Sequence, residues 1–179
     1  MAAPTAYEFR IETLAKHHNR ATFSCGVQDL DDYLKTQASQ DMRRKANAVF
    51  VMVGVNAPTQ IIGYFNLCAY GVSQGKVPEA ARKHIPRYPL VSTTLIGRLA
   101  VDAAYQGQGI GGILLARALR MAYENASIVG SSMIVVDALD ERAARFYEAR
   151  GFTRLTDSMR LILPLRTVIS LLDSDSRKE

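Results

Sequence analysis

A glycine-rich turn between an apolar strand and a long apolar helix constrains this chain more than any other feature. The run Thr-Thr-Leu-Ile-Gly-Arg-Leu-Ala-Val ends at Leu99, Ala100 and Val101. Then come Gln106, Gly107, Gln108, Gly109, Ile110, Gly111 and Gly112, which open the helical run ILLARALRMAYENA. Closely spaced glycines leave backbone N–H groups bare and free to turn toward one ligand. A helix starting there adds the unpaired N–H groups of its first turn and the positive end of its dipole. A pyrophosphate is the natural guest of such a site. The alternative is a tight loop that merely needs glycine.

The spacing Gly107-x-Gly109-x-x-Gly112 literally matches the dinucleotide fingerprint. That fingerprint opens directly off the first strand of a βαβ unit, with an acid closing the second strand. Here the glycines lie past mid-chain and trail their strand, and the nearest candidate for the strand-closing acid, Asp137, sits somewhat too far on. A phosphate-binding P-loop is excluded, because no Gly-Lys-Ser/Thr follows.

Around the turn the pattern alternates strand and helix. YEFRIETL reads as a first strand, and Gln28 to Ala46 as one helix without Gly or Pro. AVFVMVGV and QIIGYFNLCAY read as two strands joined through a turn at Asn56, Ala57, Pro58 and Thr59. Gly71 to Pro89 reads as a basic loop with one short helix near Glu79–His84. SSMIVVDA is a strand, and Asp140 to Arg150 is a helix with Gly151 capping its end. GFTRL and RLILPL close the pattern as short strands, followed by a polar tail over 173–179. The sum is one α/β domain spanning 1–179, a sheet with helices on both sides. A chain of 179 residues can bury a substantial core as one domain.

Composition excludes several classes. No run of about 18 apolar residues exists, so no membrane span is expected, and the N-terminus lacks a secretory pattern. Cys25 and Cys68 form neither a disulfide framework nor a metal set, and no metal is expected. Both read as reduced thiols of a cytoplasmic protein. The net charge of +5 is unevenly placed: Lys76, Arg82, Lys83, Arg87 and Arg98 stand against the single acid Glu79 in their stretch. Such clusters suit a polyanionic partner.

The stretch Gln106-x-x-Gly109-x-Gly111 after Leu-Ala-Val resembles the acetyl-CoA-binding motif of the GNAT acetyltransferases. Ala143-Ala144-Arg145-Phe146-Tyr147 followed by Gly151-Phe152 resembles that family's second signature. A narrower resemblance covers nearly the whole chain. Phe23-x-Cys25-Gly26, Leu30-Asp31-x-Tyr33-Leu34, Met42-Arg43-Arg44, Gly97 to Asp102, Asp137-Ala138 and Arg160-Leu161-x-Leu163-Pro164-Leu165 are similar to the GNAT toxins of bacterial toxin–antitoxin pairs.

The resemblance implies a mixed, mostly antiparallel sheet (α/β, α+β) split beside the acetyl-CoA site. It implies acetyl-CoA as acyl donor and aminoacyl-tRNA as acceptor, with translation blocked as a result. It further implies a small ribbon-helix-helix antitoxin as partner and a homodimer as an option. The backbone of Leu99, Ala100 and Val101 would hold the pantetheine arm and polarise the thioester carbonyl, and the N–H groups of Gln108 to Gly112 the pyrophosphate, with Gln106 and Gly107 completing the cofactor-binding loop. A generic acetyltransferase acting on a small amine, an antibiotic or a protein N-terminus is the alternative.

Amine attack on a thioester expels a thiolate, which needs a proton. Tyr147 is the expected general acid: its phenol, with a pKa near 10, holds its proton at neutral pH, above a thiol near 8.5. The plainer reading is a helix tyrosine with its ring in the core. No general base stands out. Asp140 reads as a helix cap, Glu141 as a dipole partner and Asp102 as a turn residue. The histidines His17, His18 and His84 read as solvated loop residues. A base-poor site fits an α-amino group, with a pKa near 8, better than a lysine near 10.4. Arg82, Lys83, Arg87, Arg98, Arg142, Arg145 and Arg150 are the expected frame for the RNA acceptor end. For each the alternative is an ordinary solvated charge or ion-pair partner, with Glu148 as the obvious mate of Arg145.

Overall fold

The computed structural model describes residues 8–156 and 158–175. The first residue of the expected opening strand, Tyr7, and the end of the expected tail, 176–179, lie outside them. The described strands follow the hydrogen-bonded order β1-β2-β3-β4-β5-β7-β6 in a mixed sheet of seven strands. The strands are β1 (Phe9–Thr13), β2 (Ala48–Gly54), β3 (Ala57–Ser73), β4 (Leu90–Val101), β5 (Met133–Asp137), β6 (Thr153–Arg154) and β7 (Arg160–Pro164). The chain divides into two compact units: residues 1–66 with 98–117, and residues 67–97 with 118–179.

In the first unit β1 and β2 pair antiparallel, from Phe9 opposite Gly54 to Thr13 opposite Phe50. Helices α1 (Gln28–Asp32) and α2 (Ala38–Arg43) are joined by a π turn over Tyr33–Gln37. The sequence reads as a single α-helix here. The backbone instead takes one wide turn, within which the Thr36 hydroxyl donates to the Asp32 carbonyl at 2.7 Å. Such hydroxyl back-bonding competes with the regular ladder and bends helices. The helix ends at Arg43, short of the expected Ala46, and Lys45 just beyond it adopts φ 59°. Phe23, Leu34, Val51 and Tyr64 form the centre of this unit's core, each 1% exposed or less. Burying an aliphatic or aromatic side chain of this size contributes about 1.5–3 kcal/mol.

The β2–β3 turn is tighter than the sequence suggests. It occupies Val55 and Asn56 alone, and Pro58 and Thr59 already lie in β3. Proline is tolerated near a strand's start, where its missing N–H removes no essential ladder bond. The reading of Asn56 to Thr59 as the turn is therefore corrected.

In the second unit β5 pairs antiparallel with β7, and β7 with β6. β4 pairs with β5 in parallel over Thr93–Ile96, while β4 itself continues to Val101. The stretch of β4 paired with β5 ends at Ile96. Gln74–Lys76 forms a 3₁₀ turn and Glu79–Arg82 a short helix, α3. Helix α4 (Ile110–Asn125) follows the glycine turn, and α5 (Glu141–Glu148) follows β5. A last helix, α6 (Leu165–Asp175), has no counterpart in the sequence reading, which ended in strand and tail. It takes up 173–175 of that tail. Its Thr167, Val168 and Ile169 are β-branched and weak helix formers. Packing outweighs propensity here, since Val168 is fully buried. None of the described helices is long and apolar enough to cross a membrane.

Candidate active site

The glycine turn belongs to the first unit. Gly107 and Gly109 adopt φ 76° and 78°, the left-handed region that only glycine enters cheaply. A Cβ at either position would meet nothing within 4 Å, so backbone angle rather than crowding requires glycine. Helix α4 starts at Ile110, directly after Gly109. The sixteen-residue helix and its open, side-chain-free approach fit a pyrophosphate-bearing ligand.

The Gln106 side chain is engaged within the protein. Its side-chain Nε2 donates to the Cys25 carbonyl and to the Val101 carbonyl, both at 2.8 Å. It clamps the start of the turn to β4 and to the segment before α1. Gln108 is looser, with one donation to the Ala104 carbonyl at 3.4 Å. Asp102 is the turn residue the sequence suggests: Oδ1 accepts from the Ala104 N–H at 2.9 Å and Oδ2 from the Ser24 N–H at 3.1 Å. Within β4, Ala100 is buried, and Leu99 and Val101 are half-buried. Gly63 lies behind them, where a Cβ would come within 2.9 Å of the Ala100 carbonyl oxygen. That close approach requires glycine, although nothing in the sequence marks Gly63 out.

Arg98 is half-buried, with its guanidinium carbon 3.6 Å from the ring centroid of Tyr33 on the π turn. The Tyr33 hydroxyl donates to Asp41 Oδ2 at 2.9 Å, and Gln37 and Asn47 donate to the same carboxylate. The Gln37 bond leads in holding Asp41 below the usual carboxylate range, with Tyr33, Asn47 and the charge of Arg98 contributing. The sequence singled out Arg98, but not this partner set, because it is assembled from separate stretches.

Tyr147 belongs to the second unit, on α5. The Asp140 side chain caps that helix, accepting from the Ala143 N–H at 2.8 Å, and Gly151 at φ 95° ends it, as expected. Tyr147 is 7% exposed, with Phe146 and Phe152 packed edge-on at ring distances of 5.2 and 5.5 Å. Its hydroxyl makes no hydrogen bond with another described residue. Burial pushes its pKa up to about 12. The phenol therefore keeps its proton across the physiological range.

The acids near α5 are already engaged. Asp137 is bound by Arg160 at 2.6 and 2.9 Å, and Glu141 by Arg154 at 2.7 and 2.9 Å. Glu148 pairs with Arg154 at 2.8 Å, not with Arg145 as the helical spacing suggests. Arg154 on β6 takes both glutamates, because its planar fork meets two carboxylates at once.

The expected RNA-facing cations divide into two groups. Arg82 donates to the carbonyls of Val77 and Gly75, and Arg150 donates to the Phe146 carbonyl while covering that ring at 3.8 Å. Lys83, Arg87 and Arg142 are exposed and make no ion pair with a described residue. Arg145 is exposed as well.

The reading of all three histidines as solvated is corrected for His18. Its ring is buried, with Nε2 at 2.6 Å from Glu12 Oε1 and Nδ1 accepting the Ala15 N–H at 2.9 Å. His17 joins the group at 3.3 Å from the same oxygen. These three side chains lie close enough to suggest a metal site. However, the Ala15 bond occupies the Nδ1 lone pair and leaves the ring proton on Nε2, facing Glu12. A neutral ring in that tautomer has no lone pair left for a metal. The group is a hydrogen-bonded knot at the end of β1.

The acetyltransferase (GNAT) domain model matches residues 47–154, more than half of the chain. This chain belongs to the GNAT acetyltransferase family. It is thus an acetyl-CoA-dependent N-acetyltransferase. A tRNA-acetylating toxin of Mycobacterium tuberculosis is 30% identical over 152 residues, covering 84% of this chain and 89% of the relative. The structure of AtaT complexed with acetyl-methionyl-tRNAfMet matches with a TM-score of 0.83 and 28% identity, covering 92% and 99%. A tyrosine-to-phenylalanine variant of AtaT, bound to the C-terminus of the antitoxin AtaR and acetyl-CoA, matches with a TM-score of 0.78 and 26% identity, covering 93% and 99%.

Proposed function

We propose that this GNAT protein acetylates the α-amino group of aminoacyl-tRNA and so blocks translation. The likeness to a tRNA-acetylating toxin over most of both chains carries this reading. The uncompensated cations Lys83, Arg87 and Arg142 support it, since RNA phosphates are matched by such groups. So does the shortage of free carboxylates near α5, because an α-amine needs less help to lose its proton than a lysine does.

Acetyl-CoA supplies an acetyl group activated as a thioester. We assign its pyrophosphate to the N–H groups from Gln108 to Gly112, with Gly107, Gln108, Gly109, Ile110, Gly111 and Gly112 as the cradle and Gln106 bracing its start. Leu99, Ala100 and Val101 offer the strand edge for its pantetheine arm. Tyr147 is the proton donor. The amine nitrogen bonds to the acetyl carbon, the carbon–sulfur bond breaks, and the Tyr147 proton goes to sulfur; the nitrogen gives up one proton to water, and water returns one to the Tyr147 phenolate. A phenol at about 12 is a weak acid in bulk water. It therefore holds its proton until negative charge builds on the leaving sulfur.

Arg82, Lys83, Arg87, Arg98, Arg142, Arg145 and Arg150 are assigned to the RNA side, with Arg82 and Arg150 acting partly by bracing backbone. The chain works as one domain over 1–179, in the cytoplasm, under control of a ribbon-helix-helix antitoxin and as an optional homodimer. The AtaT complex with AtaR supports an antitoxin as partner.

The deciding experiment offers radiolabelled acetyl-CoA with charged or uncharged total tRNA to wild type and Tyr147→Phe. Label in charged tRNA alone, reduced about 10²–10⁴-fold in kcat by Tyr147→Phe, supports substrate and proton donor together. Thiol release with small amines or peptides, and no label in tRNA, would replace this reading with a generic acetyltransferase.

A further inference from the structure

The loop between β3 and β4 holds an exposed aromatic ring on a stiff arm. Tyr88 is 69% exposed, and no described residue bonds to or stacks on it. The arm beneath it is firmly built. Val77, Ala81 and Ile85 are buried in the second unit's core. The Gln74 N–H donates to the Pro89 carbonyl at 3.0 Å, and its side chain to the Pro86 carbonyl at 3.3 Å. Arg82 closes the base of the loop through Val77 and Gly75.

Prolines stiffen both flanks of the tip. Pro86 fixes its own φ, and Pro89 confines Tyr88 to extended backbone. The ring therefore loses little freedom when something stacks on it. A single exposed tyrosine needs no explanation by itself. This one stands between stiff flanks beside cations that no described acid balances. Arg87 adjoins it, and Lys83 lies nearby in the loop, both exposed and unpaired. Across residues 74–90 four cations face one acid, Glu79.

A cationic arm bearing a rigid, open aromatic face matches one ligand chemistry closely. Unpaired nucleobases stack on such rings while nearby cations meet their phosphates. We infer that Tyr88 is a stacking platform for an unpaired base in the single-stranded acceptor end of the tRNA, with Arg87 and Lys83 on the adjoining phosphates. This rests on the proposed substrate and adds a residue outside the motif set. An acidic protein segment would satisfy the cations but leave the ring's stacking face without a special use, so the nucleic acid is preferred.

The test uses the full-length protein and a short single-stranded RNA ending in CCA. A 2-aminopurine is placed in turn at each of its last few positions. Stacking on Tyr88 quenches the fluorescence at one position, and Tyr88→Ala abolishes that quench while Tyr88→Trp keeps it. In the acetylation assay Tyr88→Ala raises KM for charged tRNA by about 5- to 150-fold, the range of one base–aromatic stack, with kcat retained. Thermal melting checks that each variant is folded.

Equal quenching in wild type and Tyr88→Ala, or an unchanged KM, overturns the inference. A defect confined to antitoxin binding or self-association overturns it too and assigns the ring to a protein interface. The RNA-binding arm needs no turnover. Failure of wild type to acetylate tRNA would therefore strike the proposed function and leave the stacking result to be read separately.

Discussion

At the scale of single residues, the same side-chain type carries opposite meanings according to its surroundings. Asp140 and Asp102 hold backbone N–H groups, whereas Asp41 gathers Tyr33, Gln37 and Asn47 around one carboxylate. Because Asp41's pKa is lowered on folding, its contribution is present above the unfolded value near 3.8 and is lost as pH falls through the lower folded value. Asp41→Asn should therefore cost roughly 1–3 kcal/mol at neutral pH, and the gap to wild type should close below about pH 4. Urea unfolding across pH 2.5–7 measures this directly. A gap independent of pH would mean that the amide network, not the charge, is what matters. Arg98 and Tyr147 were both legible in the sequence, one as a charge in an apolar strand and the other through its motif. The Arg98–Tyr33–Asp41 set was not, since hydrogen-bonded groups from three segments leave no local spacing to read.

At the scale of elements, the glycine turn and α4 follow from periodicity and composition, and the structure adds why two of the turn's residues, Gly107 and Gly109, are glycine. Gly107 and Gly109 need positive φ, while Gly63 needs only space beside Ala100. Gly109→Ala should therefore strain the backbone by about 1–2 kcal/mol without a clash. If the cradle holds the pyrophosphate, acetyl-CoA affinity measured by calorimetry should fall about 5- to 30-fold, with a fully folded far-ultraviolet spectrum. Unchanged affinity would remove the turn from the binding site. The elements that escaped the sequence share a cause: tertiary packing outweighs local preference. The π turn hides inside a regular apolar repeat, and α6 forms from a β-branched run because Val168 is buried. The hairpin turn was displaced for a smaller reason, because Pro58 has turn chemistry but is tolerated at a strand start.

At the scale of the whole molecule, electrostatics decides which charges can reach a distant polyanion. Arg154 and Arg160 are bound to carboxylates, and Arg98 is stacked on Tyr33, so these carry structural duties. Lys83, Arg87 and Arg142 are exposed and unpaired. Replacing Arg87 and Arg142 with Ala together should weaken tRNA binding and flatten the plot of log affinity against log salt by about 0.7–0.9 for each phosphate no longer neutralised. Arg98→Ala should lower thermal stability as well as affinity. A salt slope identical to wild type would remove the first two from the RNA surface. The net charge of +5 suggests a polyanion, but only side-chain pairing separates the free cations from the occupied ones.

The Gln106 clamp also sets a timetable. Its amide reaches back across 81 residues to the Cys25 carbonyl. A ribosome adding about 5–20 residues per second needs about 4–16 seconds to reach Gln106 after Cys25 has been made. Until then the segment leading into α1 lacks the partner that ties it to the glycine turn, and Tyr147 does not yet exist. The clamp on the glycine turn and the tyrosine of α5 are thus parts that arrive late in the chain's synthesis, well after the segment they complete.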